Sequence, residues 1–412
     1  MILRARLVVP VAGAPIPDGA VEIRGNRIQR VGRWSDLRDS PGAIEDLGEA
    51  VLLPGFVNAH CHLDYTSLRA VIDRGPTFTD WIRRINALKA GLDADEYLHS
   101  IRTGFAEAAR FGTTTVLNIE AVPELAHAID PPPLRTWWFY ELIDVRPRVH
   151  DDATLEGALG FFDTRAAGLQ GGFGLSPHAP YTASTHLYRL AARCSREHAM
   201  PFTTHVAESA EEMHMFADRR GALHDFLARI GRPMSDCGQG SPLRHLLIND
   251  CLPPGAILAH LNELAATDDA LLAGSDVART FTVVHCPGSH RYFGHTRFPL
   301  ERIRALGLNV ALGTDSLASN RSLSMFREMR LLAESHSEID PSDILAMATA
   351  NGGAALGRAG ELGVIAPGAY ADLISIPFAG KDEGVFEALL DHRSPVSWMM
   401  LDGVRSGVAV AA

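Results

Sequence analysis

The apolar positions of this chain follow two rhythms. Up to about residue 53 they alternate with polar ones in short runs separated by turn residues, as in AVEIRG, Asn26 and RIQRVG. A period of two marks half-buried β-strands. From about Val51 to Leu356, short and almost wholly apolar runs alternate with longer segments of helical spacing. The predicted strands there are GFVNAH, TTTVLNI, RTWWFYEL, GGFGLSPH, PFTTHV, AILAHL, TFTVVH and NVALGTD. Predicted helices between them include TFTDWIRRINALKAGL, EYLHSIRTGFAEAARFG, LYRLAARCSREHA and LERIRALG. Gly231 to Asn249 is longer than a connection needs and reads as an excursion inside the fifth strand-helix unit. After a last helix around Ile344 to Gly357, the strand-and-turn pattern returns in LGVIAPGAYADLISIP and WMMLDGVRSGVAV. Eight strands with intervening helices predict an α/β fold, a (β/α)8 TIM-type barrel over residues 54–357. The flanking β sequence predicts one small discontinuous β-sandwich domain built from both chain ends, residues 1–53 and 358–412. A doubly wound open sheet is the competing layout, but no G-x-G-x-x-G follows a strand, which removes its dinucleotide-binding form.

At 412 residues and 46% hydrophobic composition, the chain can bury a large core. Its net charge of -11 argues against nucleic acid or an anionic membrane surface as partner. No run reaches the ~18 consecutive apolar residues of a membrane helix. The opening MILRARLVVPVAGAP is too short for a secretory core and leads into a strand pattern. The cysteines at 61, 194, 237, 251 and 286 are scattered and form no CxxC, so they read as reduced thiols in a cytoplasmic protein.

The chemistry gathers at the C-terminal ends of the predicted strands. The first ends in His60-Cys61-His62, where alternation along a strand points both imidazoles to one face. Taken alone, such a pair is either two packed histidines or half of a divalent-metal site. Strand four ends at His178, strand five at His205 with Glu208 three residues on, strand six at His260, strand seven at His285 and strand eight at Asp315. In a parallel barrel these ends converge on one face. Five histidine-bearing ends and one aspartate are hard to reconcile with packing alone, because unpaired His and Asp are costly to bury. The set predicts a metal site with an open position.

In order, PGFVNAHCH, HVAES, AHLNEL, HCPGSH and LGTDSLASN resemble the amidohydrolase superfamily. Within it they resemble the branch of cytosine deaminases, S-adenosylhomocysteine deaminases and chlorohydrolases. The resemblance covers nearly the whole chain, including the PGAYADL turn of the flanking β sequence. It implies one divalent metal, Zn2+ foremost with Fe2+ or Mn2+ as alternatives, held by His60, His62, His205 and Asp315. It implies that Glu208 shuttles protons, that His260 orients the attacking water, and that His178 faces substrate; His285, Ser289 and His290 are further candidates for substrate contact. The physical roles agree: Zn2+ lowers the pKa of its water from about 15.7 toward ~7, Asp315 accepts a proton from that water, and Glu208 can protonate a ring nitrogen and then the departing amine. Two-metal relatives commonly bridge their ions with a carbamylated lysine on strand four. The only lysines here, Lys89 and Lys381, lie elsewhere, which favours a single ion.

Trp81 lies in the first strand-helix connection, where relatives cap substrate with a tryptophan-containing stretch; an apolar anchor for the helix is the equal alternative. The strand-seven loop HCPGSHRYFGH carries His290 where the commoner family pattern has Asn. With Arg291 and His295 it either favours an anionic substrate group or simply faces solvent. The resulting expectation is an aminohydrolase that deaminates an adenine-type nucleoside (adenosine, methylthioadenosine, S-adenosylhomocysteine or aminodeoxyfutalosine) by metal-hydroxide attack, releasing ammonia. Such a protein would take a small heterocyclic molecule as its partner and leave room for a homo-oligomer. The alternatives are a guanine- or cytosine-like free-base deaminase, a chloro- or amidohydrolase of another nitrogen heterocycle, and an inactive binding barrel, against which the intact polar strand ends argue.

Overall fold

The structure, a computed structural model, describes residues 1–129, 131–146, 151–163 and 170–406. The chain opens with β1 (Ile2–Val8), β2 (Ile16–Arg24), β3 (Arg27–Arg33), β4 (Ile44–Asp46) and β5 (Ala50–Pro54). Next come β6 (Phe56–His62), β7 (Thr113–Glu120), β8 (Arg135–Leu142), β9 (Gly171–Pro177) and β10 (Thr203–Val206). They are followed by β11 (Ile257–His260), β12 (Thr282–His285), β13 (Asn309–Leu312) and the two-residue β14 (Asp315–Ser316). The chain returns to β structure in β15 (Leu373–Pro377), β16 (Trp398–Leu401) and β17 (Val404–Arg405).

Both chain ends feed one eight-stranded sheet in the order β17-β16-β15-β5-β1-β2-β3, with β4 added beside β1. This sheet curls: Ile28 N–H donates to Ala369 O, and Ala371 N–H donates to Asn26 O, both at 2.9 Å. The curl encloses a separate apolar core that includes Leu3, Val21, Ile23, Leu52, Leu373 and Met400. Among the described residues the pairing is that of one curled sheet, where two facing sheets were expected. The end of the predicted C-terminal pattern, residues 407–412, lies outside the described residues.

All eight strands expected in the central part are present and run parallel. They form two sheets, β14-β6-β7-β8-β9 and β10-β11-β12-β13. A parallel bridge between Leu175 and Phe202 joins β9 to the chain entering β10. On the other side Thr314 N–H donates to His60 O at 3.0 Å, and Asp315 pairs with Cys61. Every residue of β6 and β7 is buried, as expected where both faces of a parallel strand are covered. The helices between strands start where sequence chemistry sets them. Thr77 caps Phe78–Lys89, an Asp93/Glu96 capping box opens Ala94–Arg110, and Ser184 caps Thr185–His198. The expected excursion in the fifth unit is wider than Gly231 to Asn249. It begins with helices Ala210–Asp218 and Ala222–Arg229 and ends with Pro242–Ile248. The last predicted helix is two short ones, Pro341–Met347 and Ala350–Ala355.

Arg135, at the start of β8, ties the parallel strands to the curled sheet. Its guanidinium meets Asp372 at 2.8 Å and Asp402 at 2.7 Å and lies over the Tyr370 ring. Among the described residues no helix is long and apolar enough to cross a membrane.

Candidate active site

β6 delivers His60 and His62 side by side, with ring centroids 5.1 Å apart. His205, at the end of β10, brings its Nε2 to 3.2 Å from Nε2 of His62. Its Nδ1 faces the backbone carbonyl of His178 at 2.8 Å, the kind of second contact that fixes an imidazole's orientation. Asp315 places Oδ1 3.8 Å from His60 Nε2 and 3.9 Å from His62 Nε2. The same oxygen accepts the Ser316 N–H at 2.7 Å, and Oδ2 accepts from Ser319 at 3.2 Å. Both His260 and Asp315 have positive φ, 72° and 57°, so the chain turns sharply at the two strand ends that face the histidines.

Close approach of the backbone is needed here. A Cβ on Gly313 would lie 2.7 Å from the carbonyl oxygen of His60. Glycine lets the chain leaving β13 press against β6 and present Asp315 beside the two histidines.

The four side chains fit a divalent ion. Both ring nitrogens of His60, Nδ1 of His62 and Nε2 of His260 are buried without a hydrogen-bond partner among the described residues. Burial pushes the imidazoles of His60, His62 and His260 well below the usual range, which leaves them neutral with lone pairs to give. The two ring nitrogens of His62 and His205, 3.2 Å apart, stand where a shared cation would bind both. Sets of ligand atoms within 4.8 Å of one another include His60, His62 and Asp315, and also His60, His205 and His260. His260 therefore stands as close to the cluster as the expected ligands do.

Glu208 lies beside this cluster, with Oε1 3.8 Å from His260 Nε2. Burial first, then the charges of Asp315 and Glu212, push its carboxyl well above the ordinary range. The turn carrying it is fixed through the backbone. Glu212 accepts the N–H groups of Ala207 at 3.0 Å and Glu208 at 2.8 Å, and Asn262 donates to Glu208 O at 2.9 Å. The side chain is thus free to reach into the site.

The cluster, His60 excepted, forms the floor of a cavity of about 870 Å³. His62, His178, His205, Glu208, His260 and Asp315 line it, as does Trp81, whose indole N–H donates to Ala318 O at 3.4 Å. Trp81 also packs on Phe78 and Phe293, so it is an apolar anchor and a wall of the cavity at once. His178 holds Thr182 at 2.6 Å through Nδ1.

His285, Ser289 and His290 are not among the cavity's lining residues. His285 stacks on Phe298 with centroids 3.8 Å apart, Ser289 meets Ser319, and His290 meets Asn262 at 3.1 Å. They pack behind the site and support the residues that face it. The strand-seven loop is also less cationic than its sequence reads. Burial holds His290 and His295 down to about 4, and Arg291 pairs with Glu334 at 2.7 Å.

The apolar outer wall was missed by sequence reasoning. Leu223, Phe226, Leu227 and Ile230 supply it from the helix Ala222–Arg229 and the residue after it. Their i, i+3, i+4, i+7 spacing was the available signal. Tyr65, Lys89 and Glu141 were missed as well.

A model of the amidohydrolase family matches residues 51–403. The chain belongs to the amidohydrolase family. It is 29% identical over 388 residues to the 5-methylthioadenosine/S-adenosylhomocysteine deaminase of Pyrococcus furiosus, covering 91% of this chain and 86% of that one. An adenosine deaminase from Xanthomonas campestris, solved with bound zinc, superposes with a TM-score of 0.83 at 25% identity, over 98% of this chain and 92% of that one. The aminofutalosine deaminase of Helicobacter pylori shares the fold with a TM-score of 0.87 at 22% identity, over 98% and 99% of the two chains. This amidohydrolase is therefore a hydrolase of a metal-dependent family, and it carries a histidine-rich candidate metal site.

Proposed function

We propose that this amidohydrolase is a single-metal deaminase of an adenine-type nucleoside, with zinc as its ion and His60, His62, His205 and Asp315 as the ligands. The observation that carries the reading is the meeting of these four side chains with Glu208 and His260, all but the buried His60 lining the floor of one large cavity. About 870 Å³ accommodates a nucleoside with a substituent on its sugar, within the usual range for ligand sites. In the same reading the two parallel sheets close into one (β/α)8 barrel over residues 54–357, and residues 1–53 with 358–412 make the second domain. The five buried free cysteines suit a cytoplasmic setting.

A divalent ion bound there supplies Lewis acidity that makes water a source of hydroxide near neutral pH. The protein's own groups do the rest. His260 accepts or donates a hydrogen bond at the water and fixes its direction toward the amino-bearing carbon. Asp315 takes the proton that the water gives up as its oxygen bonds to that carbon. Glu208 gives its proton to the adjacent ring nitrogen, then takes the proton of the new hydroxyl and passes it to the amino group, so that the carbonyl forms, the carbon-nitrogen bond breaks and ammonia leaves; the proton held by Asp315 restores Glu208. Trp81, Phe78 and Phe226 give the cavity around these transfers apolar walls.

The test is ammonia release by zinc-loaded protein on adenosine, methylthioadenosine, S-adenosylhomocysteine, aminodeoxyfutalosine, guanine and cytosine. Turnover of a nucleoside and not of the bases is expected. Ammonia from a base alone would replace the reading with a free-base deaminase. Silence across the panel with metal bound would point to another ring or leaving group.

A further inference from the structure

Two charged side chains of the cavity wall, Lys89 and Glu141, make no hydrogen-bonded ion pair among the described residues. Lys89 ends the helix Phe78–Lys89 and is half-buried. Its ammonium lies 4.6 Å over the Tyr65 ring and makes no ion pair or side-chain hydrogen bond among the described residues. Glu141 stands on β8, its side chain 7% exposed, and its nearest charged partner is His178 Nε2 at 3.9 Å, beyond hydrogen-bond distance. Both line the same cavity as the metal cluster, on the side of His62 and His178, yet they do not pair with each other. Leaving an ammonium and a carboxylate unmatched in a partly dry pocket is costly unless a ligand completes them. Lys89 is also one of only two lysines in the chain, while arginine supplies the remaining side-chain positive charge.

The charges decide which ligand group fits. An anion would satisfy Lys89 and be repelled by Glu141, and a cation the reverse. A pair of hydroxyls, each both donor and acceptor, satisfies both. We infer that Lys89 and Glu141 together hold the sugar hydroxyls of the substrate, Lys89 donating and Glu141 accepting, and so select ribonucleosides. This rests on the adenine-nucleoside reading and adds to it the residues that recognise the sugar. Bonds to charged partners discriminate strongly against analogues that lack the hydroxyl, because the buried charges are then left bare.

The experiment uses the zinc-loaded full chain with adenosine and 5′-methylthioadenosine, each beside its 2′,3′-dideoxy analogue, and with S-adenosylhomocysteine. Wild type is expected to prefer the ribose form by roughly 10- to 100-fold in kcat/KM. Lys89→Met and Glu141→Gln should each collapse that ratio, mainly through KM, and Lys89→Arg should restore part of it. The ratio is taken within one protein, so a lower folded fraction cancels. A wild-type ratio near one, or a ratio that survives both substitutions, overturns the sugar clamp while leaving the deaminase standing. Loss in Lys89→Met confined to S-adenosylhomocysteine, with the ribose preference intact, assigns Lys89 to an anionic group and overturns it too. Failure of wild type to deaminate any adenine nucleoside removes the deaminase reading and the clamp together.

Discussion

Replacing Glu208 by Gln separates proton transfer from metal binding. The Glu208 carboxyl accepts no hydrogen bond from the described residues, and its turn is held by backbone contacts to Glu212 and Asn262 that an amide leaves intact. The substitution is nearly isosteric and should cost little folding energy. What it removes is a proton donor and acceptor, and such groups contribute about 10²- to 10⁴-fold, or about 3–5 kcal/mol of barrier. Glu208→Gln should therefore keep one equivalent of metal by elemental analysis and lose that factor in kcat. A stability test runs in parallel on metal-free protein. Burial raises the folded pKa of this acid, so the native state binds more protons than the unfolded one between the two values. Its stabilising effect is present at low pH and lost as pH rises through the folded pKa. Gln cannot ionise, so the variant should melt above wild type at pH 8 and gain nothing at pH 4. Turnover within ~5-fold of wild type would refute the proton-transfer role, as would loss of metal from the variant with full activity in the remaining loaded fraction.

Further outcomes follow from the geometry. Gly313→Ala drives a Cβ to 2.7 Å from the carbonyl oxygen of His60, so metal occupancy should fall while the far side of the fold is unaffected, as read by metal content and amide exchange in β8 and β9. Chelation should lower the melting temperature and re-addition of Zn2+ restore it to a plateau at one equivalent per chain; a plateau at two would refute the single-ion site. Arg135→Met leaves buried Asp372 without its charge partner and Asp402 with less, and should destabilise by about 3–5 kcal/mol in denaturant melts. Glu212 is raised from 4.5 to about 7 by burial, so in metal-free protein it should lose about 3 kcal/mol of stability as pH climbs from 4.5 to 7, a fall that Glu212→Gln flattens.

The parts of this protein legible in the sequence are those set by local rules. Strand positions show because parallel strands covered on both faces are continuous apolar runs, and helix starts show because Thr77, Asp93 and Ser184 cap them. The candidate metal cluster shows because polar residues that end buried strands have no packing reason to be there. His285 belongs to the same pattern and breaks it: at the end of β12 it stacks on Phe298, so a strand-end histidine can support a site without facing it. The cavity wall was hidden for a different reason. Lys89 and Glu141 lie 52 residues apart in number and on a helix end and a strand, and nothing in either local sequence marks them as members of one surface. Leu223 and Phe226 carry a helical stripe that reads as core, and only the placement of their helix over the strand ends turns that stripe into the roof of a pocket. Chemistry at the floor follows from residue type and strand register. Specificity at the wall follows from how connections of unrelated sequence fold over it, which is why substrate selection has to be argued from unpaired groups in the cavity and not from motif.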